Sequence, residues 1–213
     1  EAYWSLMKIA RQHGGAFLCD GVGLGKTFVG LMLIERLILH EGKRVVLFAP
    51  KGAKDGVWRP HLKKWLPHIG GIDGNADFSN LAVFSHTDLS RKGDFPERFR
   101  RITELADAVI IDEAHHFRNQ GRRGNLEEEI EPSRYYKLYD LLDNTSRQKT
   151  LFMLTATPVN NRLSDFRHMA ELFTRQDETY FARTLGVNNL RAHFNKMERE
   201  LRNSIGIDPA DVS

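Results

Sequence analysis

The stretch DGVGLGKT, residues 20–27, decides the fold. It lies between the apolar run Ala16, Phe17, Leu18, Cys19 and a long apolar helical pattern, the place of a phosphate-binding loop joining a buried strand to a helix. Gly21, Gly23 and Gly25 let main-chain amides turn toward one anion without a Cβ clash. Lys26 adds a point charge for β- and γ-phosphates, and Thr27 offers a hydroxyl to Mg²⁺. Val22 and Leu24 complete the loop. Asp20 stands where the strict pattern has Gly, so the identification rests on motifs further along the chain.

Two segments supply that support. DEAHHFRN, residues 112–119, directly succeeds the apolar run Ala108, Val109, Ile110, Ile111, which puts Asp112 and Glu113 at the carboxyl end of a buried strand. TATPVNN, residues 155–161, succeeds Leu151, Phe152, Met153 and Leu154 in the same way. Three polar motifs therefore leave three strand ends toward one crevice.

These three strings resemble motifs I, II and III of the Snf2-type ATPases of helicase superfamily 2. Arg118 and Asn119 after the DEAH letters, and the Asn pair after Thr157 and Pro158, separate this group from RNA helicases that share only DEAH. The resemblance covers residues 3–173 and is greater to bacterial, single-chain members than to chromatin remodellers. It implies an α/β, RecA-like P-loop NTPase domain with a parallel sheet and helices on both faces.

The resemblance also implies roles. Residues 20–27 and Lys26 would hold ATP, with Asp20 the residue usual in the family; Thr27 and Asp112 would hold Mg²⁺; Glu113 would orient or deprotonate the attacking water. His115 would couple the hydrolysis site to Thr155 and Thr157, although the two hydroxyls alone are equally readable as strand-end capping groups. A metal site at His115 and His116 is disfavoured, since chain neighbours rarely share one ion. Lys51, Gly52 and Lys54, the turn Ser85, His86, Thr87, and Arg118 with Asn119 are the candidate DNA contacts, touching a strand backbone without reading sequence. Each is also readable as ordinary solvated loop polarity.

Composition sets the bounds. The 213 residues are 41% hydrophobic, enough for one substantial core, and a formal charge of +3 makes no bulk electrostatic case for nucleic acid. Cys19, the one cysteine, excludes an internal disulfide and a thiolate zinc cluster. No apolar run reaches the length of a membrane span. The expectation is a cytoplasmic protein, nucleoid-associated in a bacterium or nuclear in a eukaryote.

Along the chain, the pattern predicts a helix from the first residues, a largely buried helix at 26–40, a strand at 44–49, a loop holding Lys51, Gly52 and Lys54, and a helix at 57–66. Next come a Gly-rich loop at 67–77, a strand at 81–84, a helix at 96–105, a mobile charged loop at 117–133 and helices at 133–142 and 163–173. Trp58 and Trp65, seven apart on one helix face, are read as core packing. Leu190, Phe194, Met197 and Leu201 predict a last helix ending near Asn203. The expected organisation is a RecA-like domain at 1–174, the first of two with the second absent, and a helical extension at 175–213. The resemblance places an adenine-reading Gln ahead of the first helix and an arginine finger in a second RecA-like domain, both outside this chain; Gln12 is too near the loop for the first role.

The best reading of the sequence is therefore the ATP-binding motor domain of a double-stranded DNA translocase. A strand-separating DEAH-type helicase on RNA or single-stranded DNA, and a non-catalytic nucleotide-gated binding module, stay open.

Overall fold

In the computed structural model the described residues are 1–21, 23, 25–69, 80–92, 95–125, 129–143, 148–157 and 162–205. Val22, Leu24, residues 70–77 of the Gly-rich loop, residues 126–128 of the charged loop and the motif residues Pro158, Val159, Asn160 and Asn161 lie outside them.

Five strands form the sheet: β1 (Gly15–Cys19), β2 (Val45–Ala49), β3 (Leu81–Ser85), β4 (Ala108–Asp112) and β5 (Thr150–Thr155). Their order is β1-β5-β4-β2-β3 and every pairing is parallel. Parallel strands need covered crossovers, which is why the strands read as unbroken apolar runs. Along β2, Val45, Leu47 and Ala49 join one core while Val46 and Phe48 join the other.

The first core is covered by α1 (Ala2–His13), α2 (Lys26–Glu35, run on by a wide turn at Arg36–His40) and α3. Helix α3 is continuous through Lys51–Ala53, Lys54–Trp58 and Arg59–Trp65. The second core lies under α4 (Phe95–Leu105), α5 (Arg134–Asp143) and α6 (Leu163–Thr174). A short α7 (Ala182–Leu185) and a long α8 (Leu190–Ile205) end the described chain.

Several expectations need correction. The segment with Lys51, Gly52 and Lys54 is not a loop: Pro50 stands as its N-cap in extended conformation and α3 begins at Lys51. Gly52 and Gly56 each lower helix propensity by about 1 kcal/mol relative to Ala, which hides the helix from its sequence, and the burial of Trp58 outweighs them. Helix α2 is not buried all round, since Phe28, Met32 and Leu39 are about half exposed. Of the two tryptophans, Trp58 is fully buried while Trp65 is half exposed, edge-on to Phe28 and under Lys64. The last helix runs to Ile205, and α7 is too short to show in the periodicity.

Past Thr174 the chain folds back on the same core. Tyr180 and Phe181 pack on Phe173, the Tyr180 hydroxyl donates to the His13 carbonyl at 3.0 Å, and α8 docks through buried Leu190 and the Phe194–Phe166 pair.

Candidate functional site

Parallel register brings the motif-bearing strand ends to one edge: Cys19 lies beside Thr155, Asp112 beside Leu154, and Ala49 beside Ser85. Glycine geometry shapes the loop that leaves β1. Gly23 and Gly25 hold φ of 81° and 84°, a left-handed conformation that L side chains rarely adopt, and Gly25 caps α2. The Lys26 ammonium donates to the Asp20 and Gly21 carbonyls at 2.8 and 2.7 Å, and the Gly21 amide donates to the Asp20 carboxylate at 2.9 Å. Lysine is thus held at the loop mouth by two main-chain carbonyls.

A cavity of about 320 Å³ is lined by Gly23, Gly25, Lys26, Thr27 and Phe28 on one side, Ala53, Val57 and His61 on another, and Asp112 with Glu113 at the end. Its size is that of a small-molecule cleft. The donor set fits a magnesium nucleotide: loop amides and an ammonium for phosphate, a hydroxyl and a carboxylate for a hard cation. Phe28, Val57 and His61 are additions to the lining that the sequence did not signal, because their approach depends on how α2 and α3 pack.

Asp112 is oriented by its neighbours. The Trp58 indole N–H donates to its Oδ2 at 2.7 Å, and the Glu113 amide donates to its Oδ1 at 3.0 Å. Burial pushes the Asp112 carboxyl up, while the Trp58 hydrogen bond pulls it the other way. Sequence spacing alone makes Trp58 a packing residue; a buried indole N–H needs an acceptor, and this is the signal that points to its second role. Glu113 sits at φ 50°, ψ 50°, left-handed for a non-glycine residue, a strain of the kind that gathers at functional sites.

His115 joins two motifs. Its Nδ1 lies 3.1 Å from Glu113 Oε2 and 3.3 Å from Thr155 Oγ1, and the Thr157 amide donates to Thr155 Oγ1 at 3.3 Å. Thr155 itself is fully buried.

The candidate DNA residues divide. Lys51, Gly52, Thr87 and Asn119 are exposed and Arg118 is half-buried. Lys54 is half-buried, with its ammonium 3.8 Å from Asp88, the residue that caps the turn after β3 through a 2.7 Å bond from the Ser85 amide. His86 contradicts its assignment as a surface contact: only 3% exposed, its ring packs on His116 and Phe117. Burial, then the charge of His116, pushes its pKa down to about 3, so it carries no charge toward a phosphate. Its Nε2 has no partner among the described residues.

With this geometry in place, the profile of the type III restriction enzyme, res subunit, matches residues 2–160. The chain belongs to that family. Curated proteins similar to it include an uncharacterized ATP-dependent helicase, YqhH, of Bacillus subtilis (strain 168), 27% identical over 168 residues, covering 77% of this chain and 27% of the relative. RNA polymerase-associated protein RapA of Pasteurella multocida (strain Pm70) is 26% identical over 196 residues, covering 82% of this chain and 19% of the relative. The chain thus spans about a quarter or less of the length of these relatives. Among solved structures, the Sulfolobus solfataricus SWI2/SNF2 ATPase core in complex with dsDNA matches with a TM-score of 0.64 at 16% identity, covering 94% of this chain and 40% of that one. The DUF1998 helicase MrfA bound to DNA and AMPPNP matches with a TM-score of 0.57 at 14% identity, covering 82% and 25%. These two share the fold, which is the RecA-like α/β fold expected. The family and the relatives support an ATP-dependent helicase-type motor domain of superfamily 2, Snf2-type.

Proposed function

We propose that this chain is the ATP-binding half of a motor that hydrolyses ATP to move along double-stranded DNA when joined to a second RecA-like domain of the same parent chain. The observation that carries the reading is the meeting of the Gly-Lys-Thr loop, Asp112, Glu113 and the His115–Thr155 pair at one sheet edge. In this reading residues 1–174 are the motor domain and 175–213 an extension toward the rest of the parent.

The residues take simple roles. Loop amides with Lys26 bind the β- and γ-phosphates, and Thr27 and Asp112 hold Mg²⁺. Bound there, Mg²⁺ supplies charge neutralisation of the phosphates. Glu113, held by His115, orients the attacking water and takes its proton. His115 passes the state of Glu113 to Thr155 and Thr157. Lys51, Gly52 and Lys54 at the start of α3, Thr87, and Arg118 with Asn119 contact the DNA backbone, with Lys54 leaving Asp88 to do so. The two solved structures described above are complexes with DNA, which supports that partner.

An arginine supplied across a domain gap is worth about 10³ to 10⁵ in rate in related phosphoryl transfer, so the chain alone hydrolyses ATP very slowly. The test is ATP hydrolysis by the parent protein titrated separately with duplex DNA, single-stranded DNA and RNA, with this chain as control. Duplex-specific stimulation of the parent and near silence of the chain support the translocase. Stimulation by RNA or single strands moves the reading to a strand-separating helicase, and no hydrolysis at all leaves a nucleotide-gated binding module.

A further inference from the structure

We infer that Trp58 is a positioning residue that ties the candidate DNA contacts at the start of α3 to the magnesium-binding aspartate, so that contact with the duplex sets the direction of the Asp112 carboxylate. The inference deepens the motor reading and rests on it.

The Trp58 indole N–H holds the Asp112 carboxylate at Oδ2. Trp58 lies on α3, two turns beyond the candidate DNA contact Lys51 that opens the helix, and the helix is continuous between them. The second candidate segment, the turn after β3, presents exposed Thr87. Lys54 and Asp88 join the two segments at 3.8 Å.

Trp58 has no room to yield. The Trp58 ring fills the space above Gly30 of α2, where a Cβ would meet its Cη2 at 2.5 Å, so a shift of α3 is felt at once by the helix that begins at the phosphate loop. Close-packed interiors transmit displacement in this way. Because the Glu113 amide occupies the other carboxylate oxygen, a rotation of Asp112 also reaches the strained Glu113 backbone.

The experiment uses the parent protein with Trp58→Phe, which removes the donor and keeps aromatic packing. The variant is expected to lower duplex-stimulated kcat by about tenfold or more, to leave the ATP KM within about twofold, and to raise the Mg²⁺ concentration for half-maximal rate. Wild-type kcat and Mg²⁺ midpoint overturn the inference. A second measurement needs no substitution at Trp58: in this chain, whose tryptophans are Trp4, Trp58 and Trp65, replacing exposed Trp4 and Trp65 by Phe leaves Trp58 emission to report its contact with Asp112. Emission that changes as Mg²⁺ is added to the nucleotide-bound protein, and again with duplex DNA, supports the inference; flat emission overturns it. A wild-type parent that no nucleic acid stimulates overturns the motor reading instead, while the Mg²⁺ response still decides the Trp58 contact.

Discussion

His115 Nδ1 lies within 3.3 Å of Thr155 Oγ1 and within 3.1 Å of a Glu113 carboxylate oxygen, so one imidazole nitrogen faces groups from motif II and motif III together. A single N–H donating between two oxygens makes the orientation of Glu113 depend on Thr155. Replacing His115 by Ala is therefore expected to lower ATP turnover of the parent protein by about tenfold, roughly 1.4 kcal/mol of transition-state stabilisation, with nucleotide affinity kept. Steady-state kinetics beside equilibrium binding of a fluorescent nucleotide checks the split. A loss of affinity equal to the loss of rate contradicts it.

Glu113 and Lys26 separate chemistry from binding. Glu113→Gln removes a base while keeping size, and a fall in turnover of about 10² to 10⁴ with nucleotide binding intact is the expected result. Lys26→Ala removes a charge-assisted contact worth about 1.5–3 kcal/mol and is expected to weaken binding about 10- to 150-fold. Calorimetric titration of this chain with a magnesium nucleotide distinguishes the two.

The contact between Gly30 and Trp58 makes a stability prediction. A Cβ at position 30 would stand 2.5 Å from Trp58 Cη2 and 3.3 Å from Leu154 Cδ1, inside a packed core. Gly30→Ala thus sets a gain in helix propensity of about 1 kcal/mol against overpacking of about 1–3 kcal/mol, and the net expectation is a lower denaturation midpoint. A midpoint equal to or above that of the unchanged chain in a urea titration would show that Trp58 has room to move.

Glu41 provides a pH signature. Burial opposes its ionisation, but hydrogen bonds from Lys43, Arg11 and Arg36 win and hold its pKa down to about 2, from 4.5. A carboxylate with a depressed folded pKa adds stability that is fully present above the unfolded value and is lost as pH falls through the folded one. The window runs from about pH 4.5 down to about pH 2. Its partners are partly exposed, so screening reduces the contribution at neutral pH to about 1 kcal/mol. Glu41→Gln should lower stability at pH 7 by that amount and flatten the acid slope in this window, as read by chemical denaturation at several pH values.

Much of the candidate site was legible because its chemistry is local. A phosphate loop needs Gly, Lys and Thr at fixed spacing within one turn of chain, and a strand covered on both faces needs an uninterrupted apolar run. Residues 16–19, 108–111 and 151–154 therefore announced three strands and the motifs at their ends, and the sheet places them side by side. Helix α3 was less legible, since Gly52 and Gly56 weaken the local helical signal and only the burial of Trp58 restores it.

The sequence by itself determined the fold class, the phosphate loop, the acidic pair after β4 and the threonines after β5, since each depends on neighbours in the chain. Only the tertiary structure decided that Trp58 hydrogen-bonds Asp112 across 54 residues, that His86 is buried and neutral, that Lys54 faces Asp88, and that Phe28 leaves the core for the cavity wall. These relationships arise from the strand order and from the rotation of each helix on the sheet. Hydrophobic periodicity marks which residues avoid water, and it leaves unstated which residue from a distant element will meet them there.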